Sequence, residues 1–334
     1  MENLNFGIIG VGRFGRNYLR TLNEMNESSV KWICSSTEKT LSEASSGIDL
    51  KYQIKKTADY GKILDDKEVD AVVISTPGST HYKISKEALL AGKHVLVEKP
   101  MCFSSREAED LAKTAKKKNK ILMAGHLHLF NPGIQKLRED IKNGLFGKIN
   151  YISIFHSGNG PVRTDINALW DFFPHSVSVL LHLLESNPVK ASVNGKSFIK
   201  KGNEDIVSMH MKFPDDVFAL STGTWLHPQK KMEVVVAGEK LYAVFDDYAA
   251  DKLRYFDSVP KLFNKKIIID GKGAKKIPIS DSKPLAGQIK YFLNLVKTGN
   301  DYRGSLKLAL KTTKILEMAQ KSLKSGKEVK ISNL

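Results

Sequence analysis

The stretch that decides the fold is Leu4-Asn5-Phe6-Gly7-Ile8-Ile9-Gly10-Val11-Gly12-Arg13-Phe14-Gly15-Arg16-Asn17. Leu4–Ile9 is an apolar run of strand type, and Arg13–Met25 carries a helical pattern. Between them Gly10, Gly12 and Gly15 keep the G-x-G-x-x-G spacing. In that context each glycine has a task. Gly10 permits a tight turn, Gly12 lets the backbone approach a pyrophosphate, and Gly15 lets helix and strand pack closely. The helix N-terminus then turns free N–H groups and a positive dipole end toward phosphate. Gly10, Gly12, Arg13, Phe14 and Gly15 are therefore expected to line a dinucleotide site. A purely structural glycine turn is the alternative.

Working outward, the pattern keeps alternating. Val30–Cys34, Ala71–Ser75, His94–Val97 and Ile121–Ala124 are short, apolar and mostly β-branched, as buried parallel strands should be. Thr80–Ala91 and Ser104–Asn119 read as helices, the second opened by Ser104 with Glu107 three residues on, a capping-box pattern. This alternation predicts a doubly wound parallel sheet, an α/β Rossmann domain over residues 1–124.

Beyond it the texture changes. A helix after Asn131-Pro132, a strand Lys148–His156 and an apolar helix Ala168–Leu184 lead into strands with no helices between them: Val189–Ile199, Ile206–Phe213, Val217–Trp225, Met232–Ala237 and Leu241–Phe245. Two closing helices are expected near Leu285–Lys297 and Ser305–Leu323. Residues 125–334 thus read as an α+β domain with a large, mostly antiparallel sheet.

The chain of 334 residues is long enough for two cores. No apolar run reaches the roughly 20 residues of a membrane span. No basic leader with an apolar stretch precedes the first strand, and two cysteines, Cys34 and Cys102, cannot frame disulfides, so a reducing cytoplasmic setting is expected. The net charge of +16 raises nucleic-acid binding. Its densest run, Lys113–Lys120, ends an amphipathic helix where cations suit the dipole, and no aromatic residues interleave with the basic ones, so nucleic acid is not expected as a partner. A positive surface would instead attract an anionic substrate such as a nucleotide sugar.

Cofactor choice turns on the end of the second strand. An NAD site usually places a carboxylate there for the ribose 2′-hydroxyl. Here the segment is Cys34-Ser35-Ser36-Thr37-Glu38-Lys39. Ser35, Ser36 and Lys39 could accept a 2′-phosphate, while Glu38 could still reach a ribose, so NAD and NADP both remain open with a slight lean to NADP.

Two further segments carry chemistry. Glu98-Lys99-Pro100 follows the strand His94–Val97, outside the strand ends where open α/β sheets bind ligands. Lys99 there could hold a substrate hydroxyl and steady a developing alkoxide, or it is a surface lysine of a basic chain. In Trp170-Asp171-Phe172-Phe173-Pro174-His175, Asp171 and His175 lie four apart on one helical face and could form a general base. Alternatively they are an N-cap and a core histidine, with the helix starting near Pro174. His126 and His128 share no obvious carboxylate or cysteine partner, so no metal site is expected. His126 is expected at the mouth of the site.

Taken together, GIIGVGRFGRN at the start, STPGSTH at 75–81, the EKP, AGHLHLFNP at 124–132 and Asp-x-x-x-His at 171–175 resemble the Gfo/Idh/MocA oxidoreductase family over nearly the whole chain. The resemblance implies an NAD(P)-dependent dehydrogenase or reductase acting on CH–OH groups of sugars. It implies that Lys99 is catalytic and binds substrate, often across a cis Lys–Pro bond. It implies that His175 takes the hydroxyl proton beside Asp171, and that Thr76, Pro77, His81, Glu98 and Lys99 join the cofactor site. Homodimers or homotetramers joined through the C-terminal sheet are the family expectation. PVRTDINALWDFFPH at 161–175 and TGTWLHPQKKMEVVVAGEK at 222–240 further resemble a subset acting on UDP-N-acetylhexosamines or their uronates in surface-sugar biosynthesis, with Arg163, Trp225 and Lys230 as candidate substrate contacts beside His126, Asp171 and His175. A dehydrogenase of free sugars or inositol is the alternative within that class. A non-catalytic cofactor-binding sensor is the alternative outside it.

Overall fold

The structure is a computed structural model. It describes residues 3–51, 53–159, 162–301, 304–332 and 334, with backbone alone for Asn159, Lys261 and Asp270. Pro161, which opens the second quoted motif, lies outside the described residues. The chain divides into two units, Met1–Leu127 with Lys283–Thr313, and His128–Ser282 with Lys314–Leu334.

The first unit runs β1 (Leu4–Ile9), α1 (Gly15–Glu24), β2 (Ser28–Cys34), α2 (Glu38–Glu43), β3 (Lys55–Thr57), α3 (Gly61–Asp65), β4 (Ala71–Ile74), α4 (Gly78–Leu90), β5 (His94–Val97), α5 (Ser105–Lys118) and β6 (Leu122–Ala124). Its six strands lie in the order β3-β2-β1-β4-β5-β6, and every pairing is parallel. The order reverses between β1 and β4, which is where an open α/β sheet leaves a ligand crevice at its carboxyl edge. Burial explains the composition: Ala71, Val72, Val73 and Ile74 of β4 are all fully buried, as a strand covered on both faces must be. The capping pattern forms with one variation. Ser104 accepts from the Glu107 N–H, while the Glu107 carboxylate reaches past the cap to the Phe103 N–H. Asn119 closes α5 in the left-handed conformation, and Lys116, Lys117 and Lys118 sit in its last turn where cations suit the dipole.

The second unit opens after the short 3-10 turn Leu127–Phe130 with α6 (Pro132–Lys142), capped by Asn131, which accepts from the Gly133 N–H. There follow β7 (Ile149–Asn159), α7 (Ala168–Leu184), β8 (Lys190–Lys196), β9 (Ile206–Lys212), β10 (Phe218–Thr224), β11 (Leu226–Gly238), β12 (Tyr242–Asp246), β13 (Leu253–Phe256), β14 (Val259–Phe263), β15 (Lys266–Asp270) and β16 (Ala274–Lys276). Two helices and a strand close the chain: α8 (Pro284–Thr298), α9 (Ser305–Ser325) and β17 (Val329–Lys330). The large sheet has the order β16-β13-β12-β11-β7-β10-β9-β8-β17. It is antiparallel except where β10 runs parallel to β7. Ile152, Ile154 and His156 alternate onto its buried face, and α7 covers that face closely enough that a Cβ on Gly223 would lie 2.8 Å from Phe172 Cβ.

The expected division into 1–124 and 125–334 needs one correction. Lys283–Thr313, holding α8 and the first turns of α9, belongs with the first unit, because Leu306, Ala309 and Leu310 pack against its core. Local reading could not show this, since a helix at the chain end carries no mark of which core it fills. The structure also adds β13 to β17, short strands in a lysine-rich stretch with little alternation. Pro174 does not start α7. The helix begins at Ala168, capped by Asn167, and continues through the proline. Among the described residues no helix is long and apolar enough to cross a membrane.

Candidate active site

In the first unit the glycines behave as their spacing requires. Gly10 has φ +93°, and a Cβ there would lie 2.6 Å from the Ser75 carbonyl oxygen. A Cβ on Gly15 would lie 2.0 Å from the Gly10 oxygen. Gly12 is different, for a Cβ there meets nothing within 4 Å. The chain therefore needs Gly10 and Gly15 to fold, whereas Gly12 keeps open the space above the loop. The start of α1 has no side-chain cap and no acidic residue in its first turn, which suits an anion. A cavity of about 430 Å³ opens there, lined among others by Gly12, Arg13, Arg16, Arg20 and Thr40. These features fit a dinucleotide phosphate. Phe14 stacks edge-on against Tyr18, with ring centroids 5.6 Å apart. Beyond β2, Ser35 is partly buried and Ser36, Glu38 and Lys39 are exposed, with Thr37 spent on capping α2.

The loops after β4 and β5 are joined by His81. Its ring is 1% exposed, with Nδ1 2.8 Å from the Pro100 carbonyl and Nε2 2.8 Å from the Thr76 carbonyl. Both nitrogens face main chain, so His81 holds the two loops together. Thr76 Oγ1 lies 2.7 Å from Thr80 Oγ1, and Pro77 caps α4. The Lys99–Pro100 peptide is cis. Glu98 accepts a hydrogen bond from the Tyr18 hydroxyl at 2.7 Å and another from the Lys99 N–H at 3.2 Å. Gln288 of α8 donates to the same tyrosine oxygen at 2.7 Å. Burial holds the Glu98 carboxyl above the usual range, with the Tyr18 bond and the Lys99 ammonium pulling the other way. Tyr18 is pushed up by burial and by Glu98. His126 is 5% exposed, and neither ring nitrogen has a hydrogen-bond partner among the described residues. Burial first, and the Lys99 charge second, bring its imidazole down to about 4, so it is neutral at pH 7. A buried neutral imidazole with both nitrogens unsatisfied calls for a partner that the described residues do not supply.

In the second unit Asp171 and His175 lie one turn apart on α7. Asp171 is not the cap, since Asn167 fills that role. The Asp171 carboxylate accepts from Trp225 Nε1 at 2.9 Å and lies 3.9 Å from Arg163 Nη1. Arg163 spends its fork on Asp165, with Nε and Nη2 at 3.0 and 2.6 Å. Trp225 is buried and acts here as a donor to Asp171. Lys230 is exposed, its ammonium over the Tyr248 ring. His175 is buried at 8% exposure and meets the rings of His128 and His156 at 4.5 and 5.6 Å between centroids. Gln320 of α9 accepts from Trp170 Nε1 at 3.0 Å and from the Asn167 amide at 3.2 Å, which pins the start of α7. Among the described residues no three histidines, cysteines or carboxylates are placed to hold a metal.

Sequence reading missed Tyr18, Gln288, Gln320 and His156. Tyr18 and Gln320 sit at helical positions that read as core or surface, and Gln288 lies 270 residues from the side chain it meets. His156 had one available signal: it continues the inward series Ile152, Ile154 on β7, where an apolar residue belongs.

Comparison with known proteins follows the same division. Residues 4–126 match the model of the Gfo/Idh/MocA oxidoreductase family, NAD-binding Rossmann fold, and residues 134–244 match the family's C-terminal domain. The chain is 28% identical over 196 residues to UDP-N-acetylglucosamine 3-dehydrogenase of Acidithiobacillus ferrooxidans, covering 58% of this chain and 59% of that protein. A crystal structure of that enzyme superposes with TM-score 0.82 at 20% identity, covering 97% and 99% of the two chains. Myo-inositol 2-dehydrogenase of Thermotoga maritima is 23% identical over 220 residues, covering 63% of this chain and 65% of that protein. Levoglucosan dehydrogenase in complex with NADH superposes with TM-score 0.82 at 19% identity, over 100% of both chains. In sequence, the chain spans about 59 to 65% of the length of the curated relatives it matches first. Rossmann unit, sheet unit and matched families agree, and the chain belongs to the Gfo/Idh/MocA family of NAD-binding oxidoreductases.

Proposed function

We propose that this protein transfers a hydride between NAD(P) and a secondary hydroxyl of a sugar, most specifically of an anionic nucleotide sugar of the UDP-N-acetylhexosamine class. The observation that carries this reading is Asp171 and His175, polar and inward on the apolar helix α7, in a chain that also holds an open phosphate loop at Gly12. A carboxylate and an imidazole one turn apart on a buried helix have a price in desolvation that a structural role alone does not require.

Bound NAD(P) supplies the hydride acceptor. Gly10, Gly12, Arg13, Phe14 and Gly15 hold its phosphates, and Thr76, Pro77 and Glu98 shape the nicotinamide end, with His81 bracing that end from behind. We assign 2′-phosphate contact to Ser35, Ser36 and Lys39, because no carboxylate stands at the end of β2, and this favours NADP. Lys99 holds the substrate oxygen and stabilises it as its proton leaves. His175 takes that proton, and Asp171, oriented by Trp225, balances the charge. His126, neutral and unpartnered in its burial, contacts the substrate, and Arg163 orders the loop that carries Asp165. Free sugars and inositol form the second reading, favoured by the myo-inositol and levoglucosan relatives. We further assign a homo-oligomer contact to the open face of the large sheet, where Tyr151 and Phe218 are register neighbours and exposed at 41% and 40%.

The test is absorbance at the reduced-nicotinamide band with NAD⁺ or NADP⁺ and a panel of UDP-N-acetylhexosamines, their uronates, free sugars and inositols. A rise with the UDP-sugars alone supports the reading. A rise with free sugars alone replaces it by the second. Silence across the panel, with no reduced cofactor released on denaturation, removes both.

A further inference from the structure

Three imidazoles meet in the second unit. His175 lies on α7, His156 on β7 and His128 in the 3-10 turn. The His128 and His175 rings are 4.5 Å apart between centroids and perpendicular at 89°. His156 is 5.5 Å from His128 and 5.6 Å from His175, and its other side rests on Phe172 at 4.9 Å. His156 and His175 are 9% and 8% exposed. Packing does not ask for this. Ile152 and Ile154 precede His156 on the same buried face of β7, and a phenyl or aliphatic group would fill the position at lower desolvation cost.

We infer that His128 and His156 are positioning residues for His175, fixing its ring by edge contact and sharing its proton. This rests on the reading of His175 as the base. An unperturbed imidazole titrates in the neutral range, and a second positive charge within about 6 Å of the first is strongly disfavoured. The three rings therefore take up one proton together and titrate as a group. A proton arriving at His175 is spread over the cluster, so His175 stays available as a base at a pH where an isolated histidine would be held protonated.

Among the described residues, these charged groups stand on the elements packed around the cluster. Asp171, one turn back on α7, is held by Trp225 and Arg163. Strand β10, packed under α7, carries no titratable residue. On β9 His210 and Lys212 are exposed. Helix α6 meets α7 farther along, Gln135 against His182 and Arg138 against Glu185. On β11, beside β7, Lys231 and Glu233 pair with each other at 2.8 Å.

The experiment is a pH titration by NMR of protein labelled at histidine Cε1, which has nine such signals, run without cofactor or substrate. Single replacements identify the three signals. In His156→Phe, the His175 midpoint is expected to rise by about half a pH unit or more, because a neighbour that competes for the proton and repels a second one is gone. His128→Phe, at a less buried position, should act the same way and serves if His156→Phe does not fold. The acid limb of kcat/KM with the active UDP-sugar should move up with the midpoint, while His156→Asn, which keeps polarity without a titrating ring, should behave as His156→Phe. Midpoints within about 0.1 unit of wild type in both phenylalanine variants overturn the inference. Coupled midpoints together with full turnover in His175→Ala would leave the coupling standing and remove His175 as base, which separates the two failures.

Discussion

Tyr18 donates its hydroxyl hydrogen bond to Glu98 Oε1 across 2.7 Å, and this bond ties α1, the helix behind the phosphate loop, to the residue that precedes Lys99. Gln288 of α8 completes the chain, so the returning C-terminal helix supports the same loop.

Replacing Tyr18 by Phe leaves a buried carboxylate without its donor. The expected loss is about 1–3 kcal/mol of unfolding free energy in urea. The pH dependence has a sign. The Tyr18 bond pulls the Glu98 carboxyl down against burial, so its removal raises a folded-state value that already lies above the unfolded one. Stability from a raised carboxyl is fully present below the unfolded value and is lost as pH rises through the folded one. The penalty of Tyr18→Phe should therefore be larger at pH 7 than at pH 4, and an equal penalty at both would contradict the account.

The glycines separate folding from binding. Gly12→Val places its side chain in open space, so its Tm should stay within a few degrees of wild type, about the effect of a surface change. NAD(P)H binding, followed by fluorescence, should weaken by about 100-fold or more, since the backbone approach is blocked. Gly15→Ala should do the reverse and lower stability first, because its Cβ would overlap the Gly10 carbonyl oxygen.

Acid should unfold the first unit early. His94 is brought down to about 4 by burial and then by Lys120, and its Nδ1 accepts the Ile121 N–H at 3.0 Å, a bond that a protonated nitrogen cannot accept. His126 is likewise down at about 4. A lowered histidine contributes stability that is present above its unfolded value and lost as pH falls through the folded one. The urea midpoint should fall between about pH 6.5 and pH 4, the buried His126 accounting for up to roughly 3 kcal/mol and the partly exposed His94 for less, because solvent screens it. His94→Gln should flatten that slope. An unchanged slope in the variant would show that His94 is not the titrating group.

Trp225 provides a test of Asp171. Trp225→Phe keeps the ring in its buried place and removes the donor to Asp171. A fall of about tenfold in kcat with little change in KM is expected for a group that acts by holding another. A change in KM alone would place Trp225 against the substrate instead.

Much of this was legible in the sequence, and the parts that were not share a cause. Strands His94–Val97 and helix Ala168–Leu184 match their expected bounds, because period and composition are local signals. The glycine roles at Gly10 and Gly15 are local too, and the structure gives each its close contact. Gln288 on Tyr18 and Gln320 on Trp170 are not local, and polar residues on amphipathic helices look alike whether they face water or a buried tyrosine. Pro174 left a later helix start open as an alternative. Proline favours a helix start, but here Asn167 supplies the cap and the packing of Phe172 and Phe173 on Gly223 carries the helix through. The His81 ring lies between the Thr76 and Pro100 carbonyls, a pairing visible only once both loops are folded.

The proposed mechanism has Lys99 and His175 act on the substrate hydroxyl while other residues hold the cofactor. Its most direct test measures NAD(P)H affinity and turnover in Lys99→Ala and His175→Ala. Affinities within about threefold of wild type are expected, with turnover lower by about 1,000-fold or more in each. Turnover near wild type in either variant would contradict it.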